Sequence, residues 1–175
     1  GKKGEMHTEE ETKITVTFAK HLQSAVLQAL FKNHSYEEVA YEVTTIENTN
    51  QNIGMGMIAE FPEPMNELSF LNHLKSKMKT ESIRHSLLLD QPIKKVAVLG
   101  GSGSFAINAA KAAGADAFVT ADLKYHDFFS AENRILLTDI GHYESEQFTK
   151  NELVAHLTKK ITNFAIILSK INTNP

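Results

Sequence analysis

The sequence predicts an α/β protein in two parts: an α+β module of order βαββαβ, then a layer of mainly parallel strands that alternate with helices. In residues 12–90, short runs with an apolar residue at every second position alternate with longer runs of helical period. In residues 94–172, continuous apolar runs replace the alternating ones, which is typical of strands covered on both faces. Residues 1–11 are polar, and we interpret them as a linker or tail.

The first module is predicted from its alternation of two periods. Ile14, Val16 and Phe18 share one face of a strand, whereas Leu22 and Val26 share one face of a helix. In chain order the predicted elements are strand 12–18, helix 20–34, strands 38–46 and 54–61, helix 63–79 and strand 82–89. This is the order of the ferredoxin-like unit.

The second part begins after residues 90–95, where the pattern changes. Its apolar strands are each followed by a helical run, and strands alternating with helices favour a parallel sheet. The predicted elements are strand 95–100, helix 104–114, strand 115–121, short helix 124–133, strand 134–141, helix 145–161 and strand 163–171.

Composition excludes several classes of function. The 175 residues carry a net charge of −3 and only two arginines, so the chain lacks the basic surface of a nucleic-acid-binding protein. Cysteine is absent, which excludes disulfides and fits a reducing compartment such as the cytoplasm. No apolar run has the length needed to span a bilayer, so we expect no membrane partner.

A glycine-rich loop at residues 100–106 is the first candidate site. Gly101, Gly103 and Ala106 fit the pattern G-x-G-x-x-A between a strand and a helix, and Asp122 follows about twenty residues later. Such glycines let backbone amides, including that of Ser104, approach a phosphate. A tight turn that needs glycine only for its dihedral angles explains the pattern equally well.

The second candidate site is residues 120–129, which also follow a buried strand. Asp122, Lys124, His126 and Asp127 crowd one strand end, where α/β folds collect functional groups. His126 is a candidate ligand or general base, with Asp122 as a candidate partner. The alternative is a solvated loop in which Asp122 caps the next helix.

The third candidate site is residues 138–148, at another strand end. His142 and Glu146 are four residues apart, so a helix would place both side chains on one face. Imidazole and carboxylate are good ligands for Zn²⁺, Mn²⁺ or Fe²⁺, but an ordinary polar helix start explains the pair as well. If the three preceding strands are neighbours, all three candidate sites gather at one edge of the sheet.

Three motifs in residues 94–146 closely resemble the C-terminal part of the NIF-three-like family, whose members are often called GTP cyclohydrolase 1 type 2 homologues. They are GGSG, GAD-x-x-x-T-x-D-x-K-Y-H and D-x-GH-x-x-SE, in the family's order and spacing. Ala121 departs from the usual glycine. "NHSYEEVAYEV" and "GMGMIAEF" resemble the family's inserted module, similar to CutA and PII folds, with Ser35 for proline and Met57 for arginine.

The resemblance implies a dinuclear metal site of Zn, Mn or Fe in a ring-shaped hexamer. It carries the role of metal ligand onto His142 and Glu146. The family's other ligands, a histidine pair and an aspartate, belong to its N-terminal half. We therefore expect this chain to be a C-terminal segment with about half of the metal shell, weak metal binding and a tendency to self-associate.

Three hypotheses of function follow. The first is a metal-dependent hydrolase, or part of one, acting on a nucleotide or another phosphate-containing small molecule, with His126 and Asp122 holding ligands or moving protons. The second is a non-catalytic regulatory or scaffold protein, whose PII-like module is a sensor or an oligomerisation surface. The third is nucleotide binding by residues 100–106 without metal chemistry.

Overall fold

The computed structural model describes residues 3–8, 10–48 and 53–174. These fall into two compact units, Gly1–Thr49 and Asn50–Pro175. In the first unit, a 3₁₀ turn at Lys20–Leu22 leads into helix α1 (Gln23–Asn33). The ring of Phe31 on this helix meets the ring of Tyr41 edge-on, with centroids 5.5 Å apart.

The predicted strands 12–18 and 38–46 are not regular strands in this structure. An alternating run becomes a strand only where a neighbouring strand takes up its hydrogen bonds and another layer covers its apolar face. Here Ile14 is 81% exposed and Val16 is 60% exposed, so the apolar face of residues 12–18 is largely uncovered. The ferredoxin-like module is therefore not confirmed.

The second unit contains a five-stranded sheet and its helices. The strands are β1 (Met57–Met65), β2 (Arg84–His85), β3 (Ile93–Ser102), β4 (Ala117–Ala121) and β5 (Leu136–Asp139). The helices are α2 (Glu67–Met78), α3 (Ile107–Ala112), α4 (His142–Glu146) and α5 (Thr149–Lys160), with 3₁₀ helices at Ser104–Ala106 and Tyr125–Ala131.

The sheet is mixed, with a parallel centre. Its order is β1-β3-β4-β5-β2; β3, β4 and β5 are mutually parallel, and the two outer strands run antiparallel to their neighbours. The mixed α/β class with a mainly parallel layer is therefore confirmed. The sheet takes strands from both sides of residues 90–95, where the sequence predicts a domain boundary, and that boundary stays a prediction.

The core lies on both faces of β3, β4 and β5. Phe118 packs on one face with α3, while Val119 packs on the other with Phe70 and Leu74 of α2. This alternation within an apolar strand explains why the predicted central strands have no polar face. Because the three strands are parallel, their carboxyl ends meet at one edge of the sheet, and the loops that follow them lie together.

The C-terminal part differs from its prediction. The predicted helix 145–161 is divided between α4 and α5, and the predicted strand 163–171 is not a regular strand. Phe164 is 73% exposed and Ile167 is 86% exposed, so this apolar run has neither a strand partner nor a covering layer among the described residues. No helix in the described part of the chain is both long and apolar enough to cross a membrane.

Candidate functional site

The three sequence candidates meet at the carboxyl edge of β3, β4 and β5. Asp122 follows β4, and its Oδ2 lies 2.6 Å from Nδ1 of His142, which follows β5. Gly101, near the end of β3, lies beside the side chains of His142 and Glu146. The expectation that these stretches gather at one edge is confirmed.

His142 and Glu146 are the first and last residues of α4. Nε2 of His142 lies 3.4 Å from Oε2 of Glu146, as the four-residue spacing predicts for one helical face. Gly141 precedes the helix with a φ of +92°, a conformation that glycine adopts without strain. Both side chains are about half exposed, so the pair lies at the protein surface rather than in the core.

Asp122 holds the histidine ring from the other side. The Nδ1 hydrogen bond to this carboxylate favours the ring tautomer that leaves the Nε2 lone pair free, as in carboxylate–histidine–metal arrangements. The Asp122 hydrogen bond and the nearby charges of Asp122 and Glu146 raise the pKa of His142 above its usual value, outweighing desolvation. A metal ion would therefore have to compete with a proton for Nε2.

The side chains of His142 and Glu146 come together at the place where a side chain on residue 101 would lie, and Gly101 has none. Its φ is +66°, and a Cβ at this position would lie 2.6 Å from Oε1 of Glu146 and 3.3 Å from Cε1 of His142. The Gly101 amide donates to Oγ of Ser145 at 2.8 Å, and that hydroxyl donates to the carbonyl of His142 at 2.8 Å. This glycine thus serves the His142–Glu146 pair by both its conformation and its lack of a side chain.

Packing alone explains why position 103 of the glycine-rich loop is a glycine. A Cβ on Gly103 would lie 3.1 Å from Cδ2 of Leu99 and would collide with the hydroxyl of Thr120. Ser104 opens a 3₁₀ helix rather than a long α-helix. Since the amide of Gly101 already has a partner, anion binding by Gly101, Gly103 and Ser104 stays a prediction.

His126 occupies a different environment from Asp122. It lies in the 3₁₀ helix Tyr125–Ala131, with its ring centroid 5.1 Å from that of Tyr125 and 6.4 Å from that of Phe129. The side chain of Asp127 caps this helix by accepting from the Lys124 amide at 2.7 Å, so Asp122 is not its cap. A catalytic role for His126 or Asp122 stays a prediction.

Sequence reasoning missed an ion pair beside this site, between the largely exposed side chain of Arg84 and the buried carboxylate of Asp139. Asp139 is 5% exposed and accepts hydrogen bonds from the amides of Leu123 and Gly141 at 3.0 and 3.1 Å and from Nη2 of Arg84. Arg84 Nη2 also donates to the Leu123 carbonyl at 2.7 Å. A carboxylate at the end of an otherwise apolar strand was the available signal, but its partner is 55 residues away in the chain.

A polar cavity of about 270 Å³ is lined in part by Arg84 and Asp139. Asp122 belongs both to its wall and to the hydrogen bond with His142, so the cavity and the candidate ligands share one boundary. Its lining consists of Thr80, Ser82, Arg84, Asp122, Asp139, Ile140, Gly141 and Glu144. Arg84 is the positively charged member of this set.

The donor set fits part of a divalent metal site. Nε2 of His142 and the carboxylate of Glu146 are suitable donors for Zn²⁺, Mn²⁺ or Fe²⁺, and Gly101 leaves room beside them. Within residues 3–8, 10–48 and 53–174, no group of three or more His, Asp or Glu side chains is arranged to hold a metal ion. The described residues therefore offer two candidate ligands and a carboxylate that could orient one of them, fewer than the three protein ligands typical of catalytic zinc.

Comparison with known proteins decides the family. The family model of Duf34/NIF3 (NGG1p interacting factor 3) matches residues 6–175. The chain belongs to the Duf34/NIF3 family. As a Duf34/NIF3 protein it carries the three motifs on which the sequence resemblance rests, and each motif contributes a residue to the sheet edge described above: Gly101, Asp122 and His142.

Relatives of this Duf34/NIF3 chain include proteins named GTP cyclohydrolase 1 type 2 homolog. The one from Bacillus subtilis (strain 168) is 35% identical over 180 residues, which is 100% of this chain and 48% of the relative. Among solved structures, the Bacillus cereus protein related to NIF3 has a TM-score of 0.68 and 34% identity, covering 90% of this chain and 45% of that one. The Staphylococcus aureus protein SA1388 has a TM-score of 0.70 and 32% identity, with 89% and 52% covered. This chain spans about half the length of the curated relatives it matches.

Proposed function

We propose that this chain contributes His142 and Glu146 to a divalent metal site in a hydrolase that acts on a phosphate-containing small molecule, with nucleotides as the first candidates. One observation carries the proposal. The imidazole Nε2 and the carboxylate converge on the space beside Gly101, while Asp122 occupies the other ring nitrogen. An ordinary polar helix start requires neither this orientation of the ring nor the absence of a side chain at position 101.

Each residue has a defined task in this proposal. His142 offers the Nε2 lone pair, Glu146 offers carboxylate oxygens, and Asp122 fixes the ring by accepting from Nδ1. When bound, Zn²⁺, Mn²⁺ or Fe²⁺ lowers the pKa of a water molecule and polarises a phosphoryl oxygen. Further ligands would come from the part of the family's length that this chain does not span.

The neighbouring cavity supports a substrate with a polar, charged group. Thr80 and Ser82 offer hydroxyl groups, and Arg84 offers the guanidinium nitrogens that its pairing with Asp139 leaves free. The lining also carries the carboxylates of Asp122, Asp139 and Glu144, so we expect a phosphate group to enter together with a divalent cation rather than alone. The names of the relatives, GTP cyclohydrolase 1 type 2 homolog, make nucleoside triphosphates the first substrates to assay. Because only two ligands lie in the described residues, we expect weak metal binding and little or no turnover by the chain alone.

Titration calorimetry with Zn²⁺ and with Mn²⁺ tests the metal site. His142→Ala should weaken binding by more than the roughly 10–100-fold typical of losing an outer hydrogen-bond partner, because it removes a ligand. His156→Ala is the matched control, since His156 is exposed on α5 and apart from the described site. Equal metal affinity in wild type and His142→Ala would contradict the metal assignment.

A hydrolysis assay tests the reaction class. The chain and the full-length Bacillus subtilis relative should be compared on nucleoside triphosphates and phosphoesters, with added Mn²⁺ or Zn²⁺. We expect metal-dependent phosphate release by the relative, and its loss when the histidine equivalent to His142 is replaced. If no substrate in the panel is turned over by either protein, the hydrolase proposal fails. The regulatory alternative needs a PII-like module, which the structure does not confirm.

A further inference from the structure

We propose that Arg84 and Asp139 are positioning residues that hold Asp122 and His142 at hydrogen-bonding distance. The proposal rests on the proposed function only for its metal-binding consequence. The hydrogen bond itself is a property of the chain and can be tested without a metal.

The Asp139 carboxylate ties together the two loops that carry the site. One oxygen accepts from the amide of Leu123, directly after Asp122, and the other accepts from the amide of Gly141, directly before His142. The two anchored amides are therefore adjacent in sequence to the two residues that must meet. A buried carboxylate in this place sets the separation of the loops, because shifting either loop would break a charge-assisted hydrogen bond.

Arg84, on the edge strand β2, adds hydrogen bonds to the same two residues, Asp139 and Leu123. It pairs with Asp139 across β2 and β5, and its Nη2 donates both to the Asp139 carboxylate and to the Leu123 carbonyl. Its guanidinium also lies 5.6 Å from the ring centroid of Phe128. Leu123 is thus held at its amide by Asp139 and at its carbonyl by Arg84, which is why a planar, multi-donor guanidinium suits this position.

Backbone conformation explains why the loops need such a tie. Asp122 has a φ of +57° and Gly141 a φ of +92°. The left-handed region costs an aspartate more than a glycine, so the contacts that fix the neighbouring Leu123 help Asp122 to keep this conformation. Asp122 and His142 are themselves about half exposed, so core packing does not hold either side chain in place.

The test measures the His142 ring directly by ¹⁵N NMR at one alkaline pH at which the ring is neutral. In wild type we expect the Nδ1–H tautomer, because Asp122 accepts from Nδ1. Asp139→Asn should shift the ring toward the Nε2–H tautomer. If the proposed metal site is also correct, Asp139→Asn should weaken Zn²⁺ binding by about 10-fold or more.

Glu67→Gln is the matched control for buried carboxylates. Glu67 is 5% exposed, like Asp139, and accepts from two backbone amides, those of Leu89 and Asp90, at 2.8 and 3.0 Å. The Glu67→Gln substitution should lower the free energy of unfolding while leaving the His142 tautomer unchanged. The positioning role is overturned if Asp139→Asn preserves the wild-type tautomer, or if Glu67→Gln shifts it as far.

Arg84→Gln keeps the proposal testable if Asp139→Asn does not fold. Arg84 is 62% exposed in its side chain, so its replacement removes the tie to Leu123 with less disturbance of the core. We expect a tautomer shift in the same direction, and an unchanged ring would refute the positioning role. Absence of Zn²⁺ binding in wild type would instead refute the proposed function while the NMR result still decides the positioning role.

Discussion

Gly101→Ala should weaken the candidate site through the collision of one methyl group with the proposed ligands. The added Cβ would lie 2.6 Å from Oε1 of Glu146, closer than a carbon and an oxygen can approach without displacement. The added Cβ would also lie 3.3 Å from Cε1 of His142, so it cannot shift toward the ring to avoid Glu146. The Glu146 carboxylate must therefore move away from Nε2 of His142, which lies 3.4 Å from it in the native structure.

The loss of unfolding free energy in Gly101→Ala has two sources, the backbone conformation and the contact with Glu146. Gly101 has a φ of +66°, and placing a side chain in the left-handed region costs about 1–2 kcal/mol. Gly114 isolates this part, because its φ is +71° and nothing lies within 4 Å of its would-be Cβ. Gly114→Ala should therefore lose about 1–2 kcal/mol of unfolding free energy, with the proposed ligands untouched.

Urea denaturation and calorimetry with Zn²⁺ together test this reasoning. Both alanine variants should lose similar unfolding free energy, since moving the end of the Glu146 side chain costs little beyond the shared backbone strain. Only Gly101→Ala should weaken Zn²⁺ binding. Equal Zn²⁺ affinity in Gly101→Ala and Gly114→Ala would refute the claim that the missing side chain serves the His142–Glu146 pair.

Three further predictions concern stability. Phe70→Ala should cost about 3–5 kcal/mol by urea denaturation, since Phe70 is fully buried between α2 and the sheet; a loss below 1 kcal/mol would contradict that packing. Asn66→Ala should cost about 1 kcal/mol, because the Asn66 side chain caps α2 by accepting from the Ser69 amide, and an unchanged unfolding midpoint would count against the cap. The hydrogen bond and charge of Lys111 lower the pKa of Glu132 from its ordinary 4.5, so the stability from this pair should be present above that pH and lost as pH falls below it. Lys111→Met should remove this part of the pH dependence of thermal unfolding, and an identical pH profile would refute it.

Part of the site was predictable because it depends on local spacing. His142 and Glu146 share a face of α4, as a four-residue interval requires, and the strands before the three candidate stretches were predicted from their apolar runs. The contact between Asp122 and His142 needed one further fact, that β4 and β5 are parallel neighbours. Arg84 was missed because β2, only two residues long, joins the sheet beside β5 rather than beside the elements near it in sequence.

The α/β class, the buried central strands and the ligand-type side chains could be predicted from local pattern, because they follow from hydrophobic period and residue chemistry. Which alternating runs became strands depended instead on long-range pairing. Residues 54–61 largely enter β1 because β3 offers a partner, whereas residues 12–18 and 38–46 stay outside regular strands. The Arg84–Asp139 tie and the fit of Gly101 against Glu146 likewise depended on long-range contacts. The physical reason is the same in each case: hydrogen bonds and contacts between residues far apart in the chain depend on strand order, which local pattern does not contain.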